Sequence, residues 1–416
     1  MIPQQPFQEI PFSSIDENIL IGHAHNQGNT SGCTVILSKD GEGFLAGIDC
    51  RGGGTCTRET DLLKTGMLVE HIHACVLSGG SVFGLDCSSG VTKYLCEHQV
   101  GYHTDVINVP IVCQASLYDL PMFLHEEEVT SLPHSIKGNL HLLPNYYEMG
   151  YQACCNATNC SSTIRENGHH DLEYEMNGNI GAGMGGCIGK AQGTETAMKG
   201  GLGTFAIQVG DLKIGALVAV NCFGDVIENG KIIAGCLKKN IKNFEQLECM
   251  NTVCDSNECS SLFADTEMVL INEYLKRKQD WNGFALNESK NECDQDNDSG
   301  QQQHFKEQQR ACTNTTLGVV ITNGKFDKAQ LSRIATMAHD GYARSMKPSH
   351  TLYDGDSIFA LSTYRDTTSS HDEHAPTNVA GALAAFVVEK AVLRAVKSAK
   401  STGGYVAYCD LNKLLS

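Results

Sequence analysis

The chain has 416 residues, of which 41% are hydrophobic, and its formal net charge is −17 at pH 7. This length and apolar content are enough for a large packed core, whereas the negative charge argues against binding to nucleic acid or to an anionic membrane surface. We expect a cytoplasmic protein whose 19 cysteines are free thiols, because the sequence shows no signal-peptide pattern and no apolar run of roughly 18 residues.

The first third of the chain contains strand-like apolar runs and one stretch with apolar residues at helical spacing. Residues 34–37 and 44–48 are apolar runs separated by a Lys-Asp-Gly turn signal, which predicts a hairpin. Apolar residues at helical spacing predict a helix over 81–98. Residues 106–112 are typical of a strand, although Pro110 cannot donate within a ladder.

The middle of the chain holds an irregular segment and a glycine-rich segment. Residues 123–143 show no regular pattern, which predicts a surface insertion. Residues 178–203 contain a G-x-G-x-x-G-like spacing, but it neither follows a strand nor opens an amphipathic helix, so a dinucleotide site is not expected. Two buried strands, 205–209 and 214–220, are predicted to follow.

Residues 282–313 are rich in Asn, Asp, Gln, Glu and Lys, which predicts a flexible acidic tail or an ordinary linker. The segment after this tail predicts a strand at 317–322, a helix capped by Asp327, a strand at 357–362 and a helix over 379–399. Strands and helices mix without strict alternation, which favours antiparallel sheets covered by helices in one α+β domain spanning 1–416.

A hydroxyl residue stands directly before the strand at 317–322, in the sequence Asn314-Thr315-Thr316. Cleavage between Asn314 and Thr315 would give Thr315 both a nucleophilic hydroxyl and a free α-amine, whose pKa of about 7.7–8.0 suits a general base. Thr316 is the rival nucleophile, although its side chain would point to the opposite face of the strand. A plain turn entering a strand is the alternative to both.

Three further polar residues are candidates for the same chemistry. Asp354 and Asp356 flank one glycine, so their carboxylates could orient the threonine and raise one another's pKa, or could simply form an Asx-rich turn. Asn221 ends an apolar strand, where a buried amide needs a partner or could donate to an oxyanion.

Several motifs occur together in a fixed order along the chain: Arg51-Gly-Gly-Gly with Thr57–Leu63, Leu77–Asp86, Gly178–Lys190, Gly215–Asn221, Asn314-Thr-Thr and His350–Phe359. This series resembles the L-aminopeptidase/D-esterase (DmpA) family of self-processing N-terminal-nucleophile hydrolases, which includes β-aminopeptidases and nylon-oligomer hydrolases. The resemblance runs from about residue 20 to the C-terminus, apart from the two insertions.

The resemblance implies a four-layer α/β/β/α sandwich that is self-cleaved into residues 1–314 and 315–416. It implies that Lys190 lowers the pKa of the nucleophilic hydroxyl and keeps the amine neutral, with a surface loop lysine, or Lys199 in this role, as the alternatives. It also implies an oxyanion donor at Asn221. The phenol of Tyr118 is implied to point into the same pocket, with a core tyrosine as the alternative.

The resemblance further implies an aminopeptidase or amidohydrolase that acts on small peptides or amides, assembles as four pairs of fragments and needs no cofactor. Within the family, serine-nucleophile β-aminopeptidases pair their serine with a glutamate. This chain pairs a threonine with Asp354 and Asp356, which resembles the nylon-oligomer hydrolase branch. One alternative is an acyltransferase of the ornithine acetyltransferase type, whose Ala-Thr junction is absent. An uncleaved scaffold is the other alternative.

A cysteine-rich segment is the strongest candidate for a metal site outside these motifs. Cys154, Cys155 and Cys160 precede His169 and His170, but no C-x-x-C pair at zinc-finger spacing is present. We therefore predict no metal.

Overall fold

The computed structural model describes residues 7–123, 143–167, 176–239, 262–287, 314–365 and 375–415. The strands of this part are β1 Gln8–Ile10, β2 Ile19–His25, β3 Gly32–Ser38, β4 Phe44–Cys50, β5 Thr57–Arg58, β6 His71–Ile72, β7 Ala74–Ser78, β8 Val112–Ser116, β9 Cys187–Ile188, β10 Met198–Lys199, β11 Gly201–Val209, β12 Leu212–Val220, β13 Asp225–Glu228, β14 Lys231–Ala234, β15 Leu317–Thr322, β16 Met346–Lys347 and β17 Ser357–Ser362. The helices are α1 Ser81–Gly84, α2 Cys87–Glu97, α3 Leu120–Phe123, α4 Tyr146–Asn167, α5 Thr266–Asn287, α6 Lys328–Ser345, α7 Thr377–Ser398 and α8 Tyr408–Leu415.

Two large sheets form the centre of the fold. The seven-stranded sheet has the order β1-β11-β12-β15-β17-β4-β6, so β15 is its middle strand. β15 pairs antiparallel with β12 and parallel with β17, with Leu317 opposite Ser357. The five-stranded sheet has the order β2-β3-β7-β8-β5, with β7 and β8 parallel. The strand after the threonines therefore lies in the interior of a sheet.

Side chains alternate along β15 between two different cores. Leu317, Val319 and Ile321 belong to the apolar cluster between the two sheets, which also contains Leu77 of the five-stranded sheet. Val320 belongs to the cluster beneath α6 and α7, on the other face. This period of two is what an extended strand requires when both faces are buried.

Helices cover the outer faces of both sheets. α6 and α7 pack on the seven-stranded sheet through residues such as Ile334 and Val388. α2 and α4 pack on the five-stranded sheet, where Val91 and Ala153 share a cluster with Val35. The layers are therefore helix, sheet, sheet and helix, which confirms the four-layer α/β/β/α architecture.

Several local predictions are confirmed. β11 and β12 form an antiparallel hairpin over nine residue pairs. β15 and β17 have the predicted bounds, and α7 begins two residues before its predicted start. Asp327 caps α6 by accepting from the Gln330 N–H, and Gln330 Oε1 accepts in return from the Asp327 N–H. This reciprocal capping box fixes the start of the helix.

Three local predictions are wrong. β3 and β4 do not form a hairpin, because β3 pairs with β2 and β7 while β4 pairs with β17 and β6 in the other sheet. The helix expected over 81–98 is split after Gly84, whose carbonyl accepts from Gln114 Nε2 at 2.7 Å. The strand expected over 106–112 begins only at Val112, and Val106 is 92% exposed.

The two predicted insertions fall largely outside the described residues, which leave out 124–142 and 288–313. α5 continues to Asn287, so the first residues of the segment predicted as a tail are helical. No helix in the described ranges is long and apolar enough to cross a membrane.

Candidate active site

The Asn314–Thr315 peptide is buried at the start of β15. Asn314, Thr315 and Thr316 are 1%, 3% and 0% exposed. The Thr315 N–H donates to the carbonyl of Asn221, at the end of β12, at 2.9 Å. On the other side, Asn314 forms a parallel bridge with Asp354, just before β17. The Asn314–Thr315 peptide, called the junction from here on, is therefore held between β12 and β17, the two strands that flank β15.

The carbonyl oxygen of Asn314 accepts two hydrogen bonds at this junction. The Thr315 hydroxyl donates to it, and the Gly355 N–H donates from the other side at 3.0 Å. Gly355 has no room for a side chain, because a Cβ there would lie 2.5 Å from Thr315 Oγ1 and 2.7 Å from the Gly54 carbonyl oxygen. The hydroxyl thus lies beside the peptide that it would attack, and a fixed N–H points at the oxygen that would become negative.

Lys190 lies on the β12 side of the junction. Its Nζ donates to the Asn221 carbonyl at 3.1 Å and to Asn221 Oδ1 at 2.7 Å. Burial lowers the pKa of Lys190 to about 8. Its approach depends on Gly189, which has a φ of +71°, and a Cβ there would lie 2.0 Å from the Cys236 nitrogen. Lys190 and the Thr315 N–H therefore share one acceptor, the Asn221 carbonyl.

The side chain of Asn221 has three hydrogen-bond partners at the site. Its Oδ1 accepts from Lys190 and, at 2.9 Å, from the Cys187 N–H, while its Nδ2 donates to the Tyr118 carbonyl at 2.9 Å. The side-chain amide therefore has partners on both atoms in the uncut chain. Its role as an oxyanion donor stays a prediction.

Asp354 and Asp356 lie on the β17 side of the junction. Asp354 accepts from the Phe223 N–H at 3.1 Å and from the Thr351 N–H and hydroxyl. Burial, followed by the neighbouring charge of Asp356, raises the pKa of Asp354 to about 7. Asp356 accepts from the Thr316 N–H at 2.8 Å. Asp354 thus fixes the turn, and Asp356 fixes the backbone beside Thr315.

The rival residues lie in different surroundings. The Thr316 hydroxyl contacts Met346 Sδ at 3.5 Å, on the face opposite to Thr315. Lys199 is completely buried, and its Nζ donates to the carbonyls of Gly183, Gly186 and Gly200 at 3.3, 2.8 and 3.0 Å. Burial lowers its pKa to about 8. Lys199 therefore holds the glycine-rich segment and not the junction.

A small cavity of about 10 Å³ lies beside Lys190 and Asn221, which is room for about one water molecule. Tyr118 and Tyr405 are among its lining residues, so Tyr118 lies in the same pocket as Lys190 and Asn221. A cavity of about 820 Å³ opens elsewhere, along β2, and none of its lining residues belongs to the junction. We assign the site by the chemistry at the junction and not by cavity size.

The structure brings together all of the residues predicted for the site: Thr315, Asn314, Lys190, Asn221, Asp354, Asp356 and Tyr118. Two groups at the site were not predicted from the sequence. One is the Gly355 N–H, although a glycine between two aspartates is a signal for close backbone approach. The other is His350, which contacts Asp356. The described residues contain no cluster of three or more side chains suited to a metal ion.

Solved structures show which class of fold this is. The chain is similar to the L-aminopeptidase D-Ala-esterase/amidase of Ochrobactrum anthropi, whose fold is described as a variant of the Ntn hydrolase fold. The TM-score is 0.55 and the identity 16%, covering 97% of this chain and 93% of that chain. A β-aminopeptidase of Burkholderia sp. gives a TM-score of 0.53 at 14% identity, covering 96% and 91%. The fold is therefore of the N-terminal-nucleophile hydrolase type.

Sequence comparison gives the family. Residues 17–408 match peptidase family S58, and the chain belongs to that family. An uncharacterized aminopeptidase of Mycobacterium leprae (strain TN) is 30% identical over an alignment of 423 positions, gaps included, which covers 96% of this chain and 94% of that protein. A 6-aminohexanoate-oligomer endohydrolase of Kocuria sp. (strain KY2) is 24% identical, covering 91% and 84%. The predicted family is confirmed, and the chain is a hydrolase of peptide or amide bonds.

Proposed function

We propose that this chain is a self-processing amidohydrolase with Thr315 as its nucleophile, cut between Asn314 and Thr315. The observation that carries this proposal is the position of the Thr315 hydroxyl, which contacts the carbonyl of the preceding peptide while the Gly355 N–H donates to the same oxygen. The two resulting fragments are residues 1–314 and 315–416.

Self-cleavage proceeds through an ester. The Thr315 hydroxyl oxygen adds to the Asn314 carbonyl carbon and loses its proton, and the Gly355 N–H stabilises the negative oxygen. The C–N bond then breaks, the nitrogen takes up a proton, and Asn314 remains attached to Thr315 as an ester. Water hydrolyses the ester, which leaves a carboxylic acid on Asn314 and a free hydroxyl and α-amine on Thr315.

Substrate turnover uses the same hydroxyl with the new α-amine as its base. This amine starts from the position in which the Thr315 nitrogen donates to the Asn221 carbonyl, the acceptor that it shares with Lys190. A neighbouring ammonium disfavours a second positive charge, so Lys190 lowers the pKa of the α-amine and keeps it able to accept a proton. The hydroxyl forms an acyl-enzyme with the substrate, and water resolves it.

The substrate class is a small peptide or amide from which an N-terminal residue is released. Relatives named as aminopeptidases support the release of an N-terminal residue, whereas relatives named as 6-aminohexanoate-oligomer endohydrolases support the hydrolysis of an amide bond inside a short oligomer. The two carboxyl groups of Asp354 and Asp356 beside a threonine favour an oligomer of this second kind as a further substrate.

Two other functions would give different experimental results. An acyltransferase would pass the acyl group to an amine, and the match to a peptidase family does not favour it. An uncleaved scaffold would remain one chain of 45.0 kDa, whereas cleavage gives fragments of about 34 and about 11 kDa when this mass is divided by residue number.

A denaturing gel with N-terminal sequencing tests the proposal. We expect two bands for the wild type, with the smaller one beginning at Thr315, and one uncut, inactive chain for Thr315→Ala. Thr316→Val replaces the rival hydroxyl by a methyl group of similar size, and we expect it to be cut. An active wild type that remains uncut, or a Thr315→Ala variant that still hydrolyses aminoacyl amides, would refute the assignment.

We also propose that the protein works in the cytoplasm as an assembly of four fragment pairs. The cysteines in the described ranges are free thiols, many of them buried, which suits a reducing compartment. Light scattering on the cleaved protein tests the assembly, and a mass near that of a single pair would contradict it.

A further inference from the structure

His350 is joined to the junction through Asp356. The His350 N–H and Nδ1 both donate to Asp356 Oδ2, at 3.1 and 2.9 Å. The other oxygen, Oδ1, accepts from the Thr316 N–H at 2.8 Å. Asp356 is 1% exposed, so each of these hydrogen bonds forms away from water. One carboxylate therefore connects the imidazole to the peptide unit that follows Thr315.

The backbone of His350 is in an unusual conformation. Its φ is +58°, a left-handed conformation that few residues other than glycine adopt, although asparagine, aspartate and histidine do so more often than the rest. This conformation lets the main-chain N–H and the ring of one residue reach the same oxygen. Among the described non-glycine residues with a positive φ, His350 is the one that bonds to Asp356 beside the proposed nucleophile.

The ring of His350 is held from its other side by α6. It packs edge-to-face on the His339 ring, with 4.8 Å between centroids, and Tyr342 lies 6.1 Å away. The His339 Nε2 donates to the Asp49 carbonyl at 3.0 Å, and burial lowers the pKa of His339 to about 4. A neutral, fixed ring therefore limits the rotation of His350, whose side chain is 21% exposed.

We propose that His350 is a positioning residue: its two donors turn the Asp356 carboxylate so that Oδ1 holds the Thr316 N–H, and this fixes Thr315 for self-cleavage and for turnover. The inference rests on the proposed function of Thr315. His350 does not touch the scissile peptide and transfers no proton. Its effect is on the orientation of the attacking hydroxyl, so it changes kcat more than KM.

Two variants separate the hydrogen bond from the backbone conformation. His350→Asn keeps a side-chain N–H near the position of Nδ1 and tolerates a positive φ. His350→Gly also tolerates the positive φ but has no side-chain donor. If His350 were only a residue that forms this turn, both variants would behave alike.

The experiment measures the self-cleavage rate, kcat and KM of both variants and of the wild type, with melting curves to confirm folding. We expect His350→Gly to lower the cleavage rate and kcat about tenfold or more with little change in KM, the size of effect given by losing one hydrogen bond to a charged group. His350→Asn should restore both rates to within about threefold. His103→Asn is the control, because His103 is exposed and bonded to Asn108 outside the site.

The outcomes distinguish this inference from the proposed function. A cleaved, active wild type with wild-type rates in His350→Gly overturns the role of His350 alone, as does an equal loss in both variants. A wild type that is active without being cut overturns the assignment of Thr315 and this inference together. If His350→Gly does not fold, His350→Asp replaces it in the same comparison with His350→Asn, because aspartate also tolerates a positive φ and its carboxylate has no donor.

Discussion

Replacing Gly355 by alanine should block self-cleavage without removing any reactive group. The new Cβ would lie 2.5 Å from Thr315 Oγ1 and 2.7 Å from the Gly54 carbonyl oxygen, distances that carbon atoms do not tolerate. Either the hydroxyl must turn away from the peptide that it attacks, or the Gly355 backbone must move and take its N–H away from the Asn314 oxygen. Loss of one oxyanion donor slows acyl transfer by about 10²–10³. Overpacking should also cost about 1–3 kcal/mol of folding free energy.

The assay is a time course of precursor loss on denaturing gels, together with chemical unfolding of uncut protein. The unfolding penalty of Gly355→Ala should be compared in two uncut backgrounds: Thr315→Val, which keeps a heavy atom in place of Oγ1, and Thr315→Ala, where this atom is absent. We expect the penalty to fall by at least about 0.5 kcal/mol in that background, the lower range for residues in contact. Cleavage of Gly355→Ala at the wild-type rate would refute the geometry, and equal penalties in both backgrounds would place the clash at Gly54.

Three further predictions follow from the buried ionisable groups. The pH–rate profile should fall as pH rises through about 8, because Lys190 then loses the charge that it needs, and a flat profile up to about pH 10 would contradict this. The pKa of Asp354 in the folded protein is about 7, above its ordinary value of 3.8. The protonated Asp354 carboxyl group therefore contributes its full stabilisation below pH 3.8, and this stabilisation is lost as the pH rises through 7. Urea unfolding of uncut protein should therefore show a smaller loss of stability between these pH values in Thr315→Ala/Asp354→Asn than in Thr315→Ala. Lys199→Met should destabilise the fold by about 3 kcal/mol, since three buried carbonyls lose a charged donor. Lys213→Met, which removes one partly buried bond to the Ser14 carbonyl, should cost less.

The sequence was sufficient to predict features that depend on neighbouring residues. β15 could be predicted because both of its faces are apolar, and α6 could be predicted from its cap and its period. The signals for β15 and α6 lie within a few residues of the features that they predict. The junction is different: Asn314-Thr315-Thr316 alone is also typical of a turn entering a strand, and its prediction as a cleavage site depended on the family resemblance.

Strand partners and long-range contacts could not be predicted in the same way. The Lys-Asp-Gly turn between β3 and β4 gives a change of direction, but the two strands continue into different sheets. Lys190 follows Gly189 and Lys199 precedes Gly200, and only the packed structure shows that Lys190 reaches Asn221 while Lys199 reaches glycine carbonyls. The Gly355 N–H has no side chain to reveal it.

The position of the junction inside the sheet would let the site survive the proposed cleavage. After scission, the Thr315 nitrogen could still donate to Asn221, the Thr316 N–H to Asp356, and the Ser357 N–H to the Thr316 carbonyl, because all three bonds lie on the Thr315 side of the peptide. The bond from the Gly355 N–H to the Asn314 oxygen lies on the other side. Under the proposed mechanism, departure of Asn314 would free this donor for a substrate carbonyl, so that the donor used in self-cleavage would also serve each turnover.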